Sequence, residues 1–330
     1  MAQATDPSPF RLHAGPGSAL GRRALLGGLA ALPFAARAAM ASAPPVIVAT
    51  TGMIADTARR LSGAEVTALM GPGIDPHSYR PTRGDILALS RADIILHHGL
   101  HLEAQFTGVL ADLATKKTVV AVGEAVPEQD LLSDPEYTGR PDPHIWFDPA
   151  LWRHAAAAIA TALDGAGFDT APGAAALSQD IDALDAYART ALATVPEPAR
   201  ILVTAHDAFA YFGRAHGWQV EGIQGISTES EAGLARISQL VDLLVTRAIP
   251  AVFVESSVSD RAMQALIEGA AAQGHSVAIG GELFSDAMGP EGSYEGTWPG
   301  MIDHNITTIT RALGGTAPER GMAGKLGAAT

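Results

Sequence analysis

Between residues 172 and 198 the chain reads PGAAALSQDIDALDAYARTALATVPEP, and this stretch decides the architecture. Leu177, Ile181, Leu184, Ala188 and Leu192 recur at spacings of three and four, which draws one apolar stripe along a helix. Pro172-Gly173 in front and Pro196-Glu197-Pro198 behind punctuate both ends, so Ala174 to Val195 is expected as a discrete connecting rod. A rod of this kind resists bending, and the halves it joins are expected to close only modestly.

Short apolar runs alternate with helix-period segments on both sides of the rod, the pattern of βα units around parallel sheets. The expected strands before it are Val46 to Ala49, Val66 to Met70, Ile94 to Leu96 and Val119 to Val122. Those after it are Ile201 to Thr204, Val220 to Ile226, Ala251 to Val254 and Val277 to Ile279. Four and four predict an α/β protein of two (β/α) lobes, each with a four-stranded, mainly parallel sheet, joined by the long helix. The expected boundaries are 44–172 for the first lobe, 173–196 for the connecting helix and 197–330 for the second lobe. In the second, Thr228-Glu229-Ser230-Glu231 matches a capping box ahead of Leu234, Ile237, Leu240, Val241 and Leu244.

The composition narrows the partners. The 330 residues carry a formal net charge of −13, and the longest basic runs are the pairs Arg22-Arg23 and Lys116-Lys117, which argues against a phosphate backbone as ligand. Residues 1–38 read as a removable export signal: Arg11, Arg22 and Arg23 precede the uncharged stretch Ala24 to Ala36, and Ala36-Arg37-Ala38 offers small residues at the cleavage positions. Arg22-Arg23-Ala24-Leu25-Leu26 resembles a twin-arginine signal, with Gly21 where a polar residue is usual. Cleavage would remove four arginines and Asp6 and lower the net charge from −13 to −16. The chain has no cysteine, hence no disulfide, no thiolate ligand and no cysteine to carry a lipid. The expected product is free in the periplasm as a monomer.

A divalent cation, with no thiolate on offer, needs imidazole nitrogens and carboxylate oxygens brought together from separate loops. His77 follows the second strand, and His144 lies just before a helix that begins near Ala150. His206 follows the strand Ile201 to Thr204, and Asp286 follows the last strand. Each half contributes two groups, at the carboxyl ends of strands where open α/β sheets bind ligands. Two of them sit in an echo, Asp75-Pro76-His77 and Asp142-Pro143-His144. Taken singly, each histidine is as readily a surface or hydrogen-bonded side chain.

The combination sharpens on resemblance. Asp75-Pro76-His77-Ser78-Tyr79, Ala92 to Leu100 with Leu102-Glu103, and Asp142 to Pro149 appear in the order of the zinc/manganese solute-binding proteins of ABC importers. Thr204 to Phe212, Phe253 to Ser257 and Gly281 to Gly289 continue that order. The chain resembles that family, of the metal-binding cluster A-I type, over essentially all of Val46 to Leu313. The resemblance implies one transported Zn2+ or Mn2+ held in the cleft by His77, His144, His206 and Asp286, and an inner-membrane permease with its ATPase as partner. Three imidazoles and one carboxylate favour zinc over the harder manganese. Against that, Val126 to Pro143 lacks the histidine-rich loop of dedicated zinc scavengers, and Gly281 to Gly289 looks like relatives that handle manganese. Both metals stay open, and iron with them.

His97, His98 and His101 read as caps of a strand end and turn rather than a second site or an entry ligand. His154, His216, His275 and His304 read as surface groups or as side chains behind the ligands. Glu255 is either a carboxylate behind a ligand or a satisfied strand-end acid, and Asp75, Asp142 and Asp207 either orient rings or cap turns. A periplasmic zinc metallohydrolase is the competing reading, but it needs an open coordination position and a positioned base, and no His-Glu-x-x-His or Gly-x-Ser-x-Gly motif is present. A metal chaperone without an importer is a third. With imidazole ligands, affinity is expected to fall as pH drops through about 6.5.

Overall fold

A computed structural model describes residues 43–133, 139–230 and 233–327. The expected export signal lies outside them. Strands β1 (Ile47–Ala49), β2 (Val66–Ala68), β3 (Ile94–His97) and β4 (Thr118–Ala121) form a parallel sheet in the order β2-β1-β3-β4. Their residues alternate between two apolar layers, as the period of two requires. Ile47, Ala49, Ile94 and Leu96 face one core, while Val48 and Ile95 face the other. Helices α1 (Gly52–Ser62), α2 (Arg83–Arg91), α3 (Thr107–Ala114) and α4 (Pro149–Gly165) complete the first lobe. A capping box of Thr82 and Asp85 starts α2, and Asp148 caps α4 by accepting from the Ala150 amide.

The connecting rod is α5 (Ala171–Leu192), three residues earlier than its sequence signals suggest. Pro172 falls in its first turn, where the missing N–H has no intrahelical role, so that proline opens the helix instead of preceding it. At the far end the Thr194 hydroxyl donates to the Ala191 carbonyl and closes the last turn. The predicted stripe of Leu177, Ile181, Leu184, Ala188 and Leu192 is buried throughout.

The second lobe has β5 (Ile201–His206), β6 (Gln219–Gln224), β7 (Ala251–Glu255) and β8 (Ala278–Leu283) with α6 (Ala210–His216), α7 (Leu234–Arg247), α8 (Arg261–Ala272) and α9 (Trp298–Ala312). Parallel ladders join β5 to β6 and β7 to β8, and β5 lies beside β7, giving the order β6-β5-β7-β8. All eight expected strands are present. The expected cap of α7 is not at Thr228: the helix starts at Leu234 with Gly233 as N-cap, and the Thr228 hydroxyl instead donates to Asp75 Oδ2 across the cleft at 2.6 Å. Glu231 of that capping box lies outside the described residues.

Helix α5 packs on α1 and α4 of the first lobe and on α9 of the second. The approach to α1 requires glycine at 173, since a Cβ there would sit 2.3 Å from the Arg60 carbonyl oxygen. Helix α9 crosses back to the first lobe, where the buried Asp56 carboxylate accepts the Trp298 amide at 2.9 Å and Trp152 stacks on Trp298 at 5.8 Å. These crossings make one apolar core continuous between the lobes. Each fully buried large aliphatic or aromatic side chain in it contributes about 1.5–3 kcal/mol. Among the described residues, no helix is long and apolar enough to cross a membrane.

Candidate metal centre

The carboxyl ends of the strands converge on His77, His144, His206 and Asp286. One donor atom from each of these buried residues lies within 4.8 Å of all the others. His144 Nε2 is 3.3 Å from His77 Nε2 and 3.3 Å from His206 Nε2. The two oxygens of Asp286 divide between the rings, with Oδ1 3.3 Å from His144 Nε2, and Oδ2 3.2 Å from His206 Nε2 and 3.9 Å from His77 Nε2. Four donors about 2.0–2.1 Å from a single zinc would stand about 3.3 Å apart, the edge of a tetrahedron. Neither buried Asp286 oxygen has an aligned hydrogen bond, although both lie against ring nitrogens. A cation satisfies all of these groups at once.

Local chemistry explains how each candidate ligand is held. Asp75 Oδ1 accepts the His77 amide at 2.8 Å and Asp142 Oδ1 accepts the His144 amide at 2.9 Å, so the two Asp-Pro-His echoes fold into the same two-residue turn. Asp142 does more, since its Oδ1 also lies 2.7 Å from His144 Nδ1. This contact keeps the proton on Nδ1 and turns the Nε2 lone pair inward. Glu255, the last residue of β7, backs His206, the last of β5: Oε1 accepts the His206 amide at 2.9 Å, and Oε2 lies 2.6 Å from Nδ1 in an ion-pair contact without an aligned hydrogen bond. Asp142 thus both caps a turn and orients a ring, and Glu255 stands behind His206. The Asp286 loop hangs on α9, where Asn305 brackets Phe284 by accepting its amide at 3.0 Å and donating to its carbonyl at 2.7 Å.

Burial and neighbouring charge pull the rings apart. Burial, opposed by Asp286, pushes His77 down to about 4. Burial also works against charge on His144, but Asp142 and Asp286 outweigh it and hold that ring up to about 9. For His206, burial is likewise outweighed by Glu255 and Asp286, which keep it well above the ordinary histidine value. Asp286 is held well below the usual carboxylate range by the three rings, His206 foremost, against a burial that favours the neutral acid.

The His97 cluster is structural in the main. Glu103, buried, accepts the amides of His98 and Gly99 and the Thr50 hydroxyl, fixing a turn in which Leu100 and His101 adopt φ of 53° and 66°. Left-handed backbone at two non-glycine residues costs of order 1–3 kcal/mol each, which the carboxylate cage offsets. His98 is fully buried, donates from Nε2 to the Pro143 carbonyl at 2.6 Å and meets Trp146 edge-on at 5.0 Å. It thus supports the His144 loop, a role its position after an apolar strand did not announce. Trp146, whose Nε1 donates to the Ser285 carbonyl at 2.9 Å, and Asn305 also escaped sequence reasoning. A buried Asn in an apolar helix was the available signal for the latter. His101 is exposed and, with Arg140 and Glu229, lines a small cavity beside His77. His154 is exposed, and the side chains of His275 and His304 bond the carbonyls of Ile249 and Glu282, away from the ligand cluster.

The family described as "ZnuA: Zinc-uptake complex component A periplasmic" matches residues 47–312. "Manganese-binding lipoprotein MntA" of Bacillus subtilis (strain 168) is 47% identical over 274 residues, spanning 81% of this chain and 89% of that protein. "Zinc-binding protein TroA" of Treponema pallidum (strain Nichols) is 44% identical over 286 residues, 85% of this chain and 92% of that one. The solved structure of the periplasmic zinc binding protein TroA from Treponema pallidum superposes with a TM-score of 0.79 at 44% identity, covering 82% of this chain and 99% of its own. With two parallel-sheet lobes on a helical rod and three imidazoles and a carboxylate gathered between them, the chain belongs to the ZnuA family of periplasmic metal-uptake components.

Proposed function

We propose that the protein captures one Zn2+ or Mn2+ in the periplasm with His77, His144, His206 and Asp286 and delivers it to an ABC importer, an inner-membrane permease driven by its ATPase. The observation that carries this reading is the spacing of donors from four separate loops: His144 Nε2 lies 3.3 Å from both other ring nitrogens, and Asp286 lies 3.2–3.3 Å from His206 and His144 and 3.9 Å from His77. Residues 1–38 serve as the export signal, 44–172 and 197–330 supply two ligands each, and 173–196 link them. Without a cysteine for lipid attachment, the processed chain is free in solution, unlike the lipoprotein named among its relatives.

Three imidazoles favour zinc, and the two oxygens of Asp286, each facing a different ring, suit the larger coordination number of manganese. The protein is a carrier, as its family is, and the four donors enclose the ion instead of leaving a position for water and a substrate. Elemental analysis of protein purified without added metal, followed by competition between Zn2+ and Mn2+, tests the reading. One equivalent of either metal, lost in His206→Ala, is the expected result. Protein that takes up neither refutes it.

A further inference from the structure

The loop that presents His144 is gripped from opposite sides at two adjacent peptide carbonyls. From the first lobe, His98 Nε2 donates to the Pro143 carbonyl at 2.6 Å. From the second, the hydroxyl of Tyr211 on α6 donates to the Asp142 carbonyl at 2.7 Å and accepts the Leu132 amide at 3.0 Å. Both side chains are buried. Further ties run to the second lobe: Phe147 stacks on Phe209 at 4.2 Å, and Trp146 donates to the Ser285 carbonyl. Arg214, one turn along α6, donates to the Asp130 carbonyl at 2.7 Å and lies 3.6 Å from Asp148. Arg214 is exposed, so its contacts exchange with water and weigh less. His144 belongs to the first lobe by chain position, yet the segment around it is bonded to the second lobe on both sides of the ligand.

We infer that Tyr211 is the positioning residue that fixes the His144 ring to the lobe carrying His206 and Asp286, and so sets how long the bound cation is retained. The inference rests on the reading that these residues hold the cation. Its physical basis is that Asp142 works through both ends. Its carboxylate holds the His144 amide and Nδ1, while its carbonyl is held by Tyr211. A shift of that peptide therefore shifts the ring. Helix α6 begins four residues after His206, so any movement of the end of β5 passes to the Tyr211 hydroxyl and on to His144.

Tyr211→Phe tests this, because it keeps the ring and deletes the hydroxyl alone. Tyr187→Phe is the control: it deletes a hydroxyl that bonds Thr307 at 2.8 Å between α5 and α9, away from the ligands. The purified chains are loaded with Co2+, their visible spectra recorded, and release into excess chelator timed. Tyr211→Phe is expected to release Co2+ at least ten times faster and to alter the ligand-field bands, whereas Tyr187→Phe stays within twofold of the parent with an unchanged spectrum. Equal acceleration by both variants reduces the effect to general destabilisation and overturns the inference. An unchanged Tyr211→Phe, with uptake intact and impaired by His144→Ala, overturns this inference alone. A parent chain that takes up no Co2+ overturns the ligand assignment and this inference with it. Should Tyr211→Phe not fold, Arg214→Gln is expected to accelerate release about threefold, and no change would refute the coupling.

Discussion

Glu255→Gln isolates what a buried carboxylate contributes to a metal ligand it never touches the ion through. The carboxylate accepts the His206 amide at 2.9 Å through one oxygen and sets its other oxygen 2.6 Å from Nδ1. Glutamine has one acceptor oxygen and one NH2 group, so either orientation sets a donor against a donor. If the oxygen keeps the amide, the NH2 meets Nδ1 and drives the ring proton to Nε2, the atom that faces Asp286 and the other rings. Metal must then overcome the wrong tautomer. Loss of such a partner typically lowers metal affinity 10–100-fold, about 1.4–2.7 kcal/mol. A second effect opposes it. Glu255 is the foremost charge holding His206 well above its ordinary value, and each pKa unit above the working pH costs the metal about 1.4 kcal/mol of proton displacement. Removing that charge relieves the competition at neutral pH. The loss is therefore expected to be larger at pH 9.5 than at pH 7, measured by zinc titration against a chelator of known affinity. Equal affinity of variant and parent at pH 9.5, or a loss that grows as pH falls, would refute the reasoning.

Four further outcomes follow from the structure. Because His144 is held up to about 9 and His206 well above 6.5, metal must displace nearly two protons at pH 7, so affinity should keep rising with pH beyond 6.5, where unperturbed imidazoles would level off. Calorimetry in buffers of different ionisation enthalpy counts those protons, and a count near zero contradicts the assignment. The raised folded value of His144 also stabilises the metal-free chain fully below pH 6.5, a contribution lost as pH climbs through 9, so its thermal midpoint should fall across that window. His206→Ala should weaken zinc binding more than a hundredfold, while His216→Ala, whose ring packs on Phe212 at 4.9 Å, should leave it unchanged. Gly173→Ala gains up to about 1 kcal/mol in helix propensity but drives a Cβ to 2.3 Å from the Arg60 carbonyl oxygen, so a net destabilisation of about 1–3 kcal/mol should appear as a lower unfolding midpoint with zinc affinity retained.

The strands, the apolar stripe of α5 and the four candidate ligands were all legible in the chain, because periodicity, proline punctuation and strand-end position are local properties. Where α5 begins was misplaced by three residues, since Pro172 both ends a loop and opens a helix and only the packing against α1 decides which. Thr228 was misassigned for a related reason: its hydroxyl had a helix terminus in reach by spacing, yet Asp75, 153 positions away, takes it in three dimensions. The roles of His98 and Tyr211 were equally out of reach, and that of Glu255 was legible only as one of two alternatives. A carboxylate, an imidazole and a phenol at the end of an apolar run look alike whether they bond their neighbours or a loop of the opposite lobe. Residue types and their order determined which groups are candidates to bind a cation and roughly where on each sheet they sit. Only the crossing of α5 and α9 between the lobes decided that the four donors gather within 4.8 Å of one another and which carboxylate backs which ring, because hydrogen bonds and metal coordination act over about 3 Å, far less than the chain separation of the groups they join.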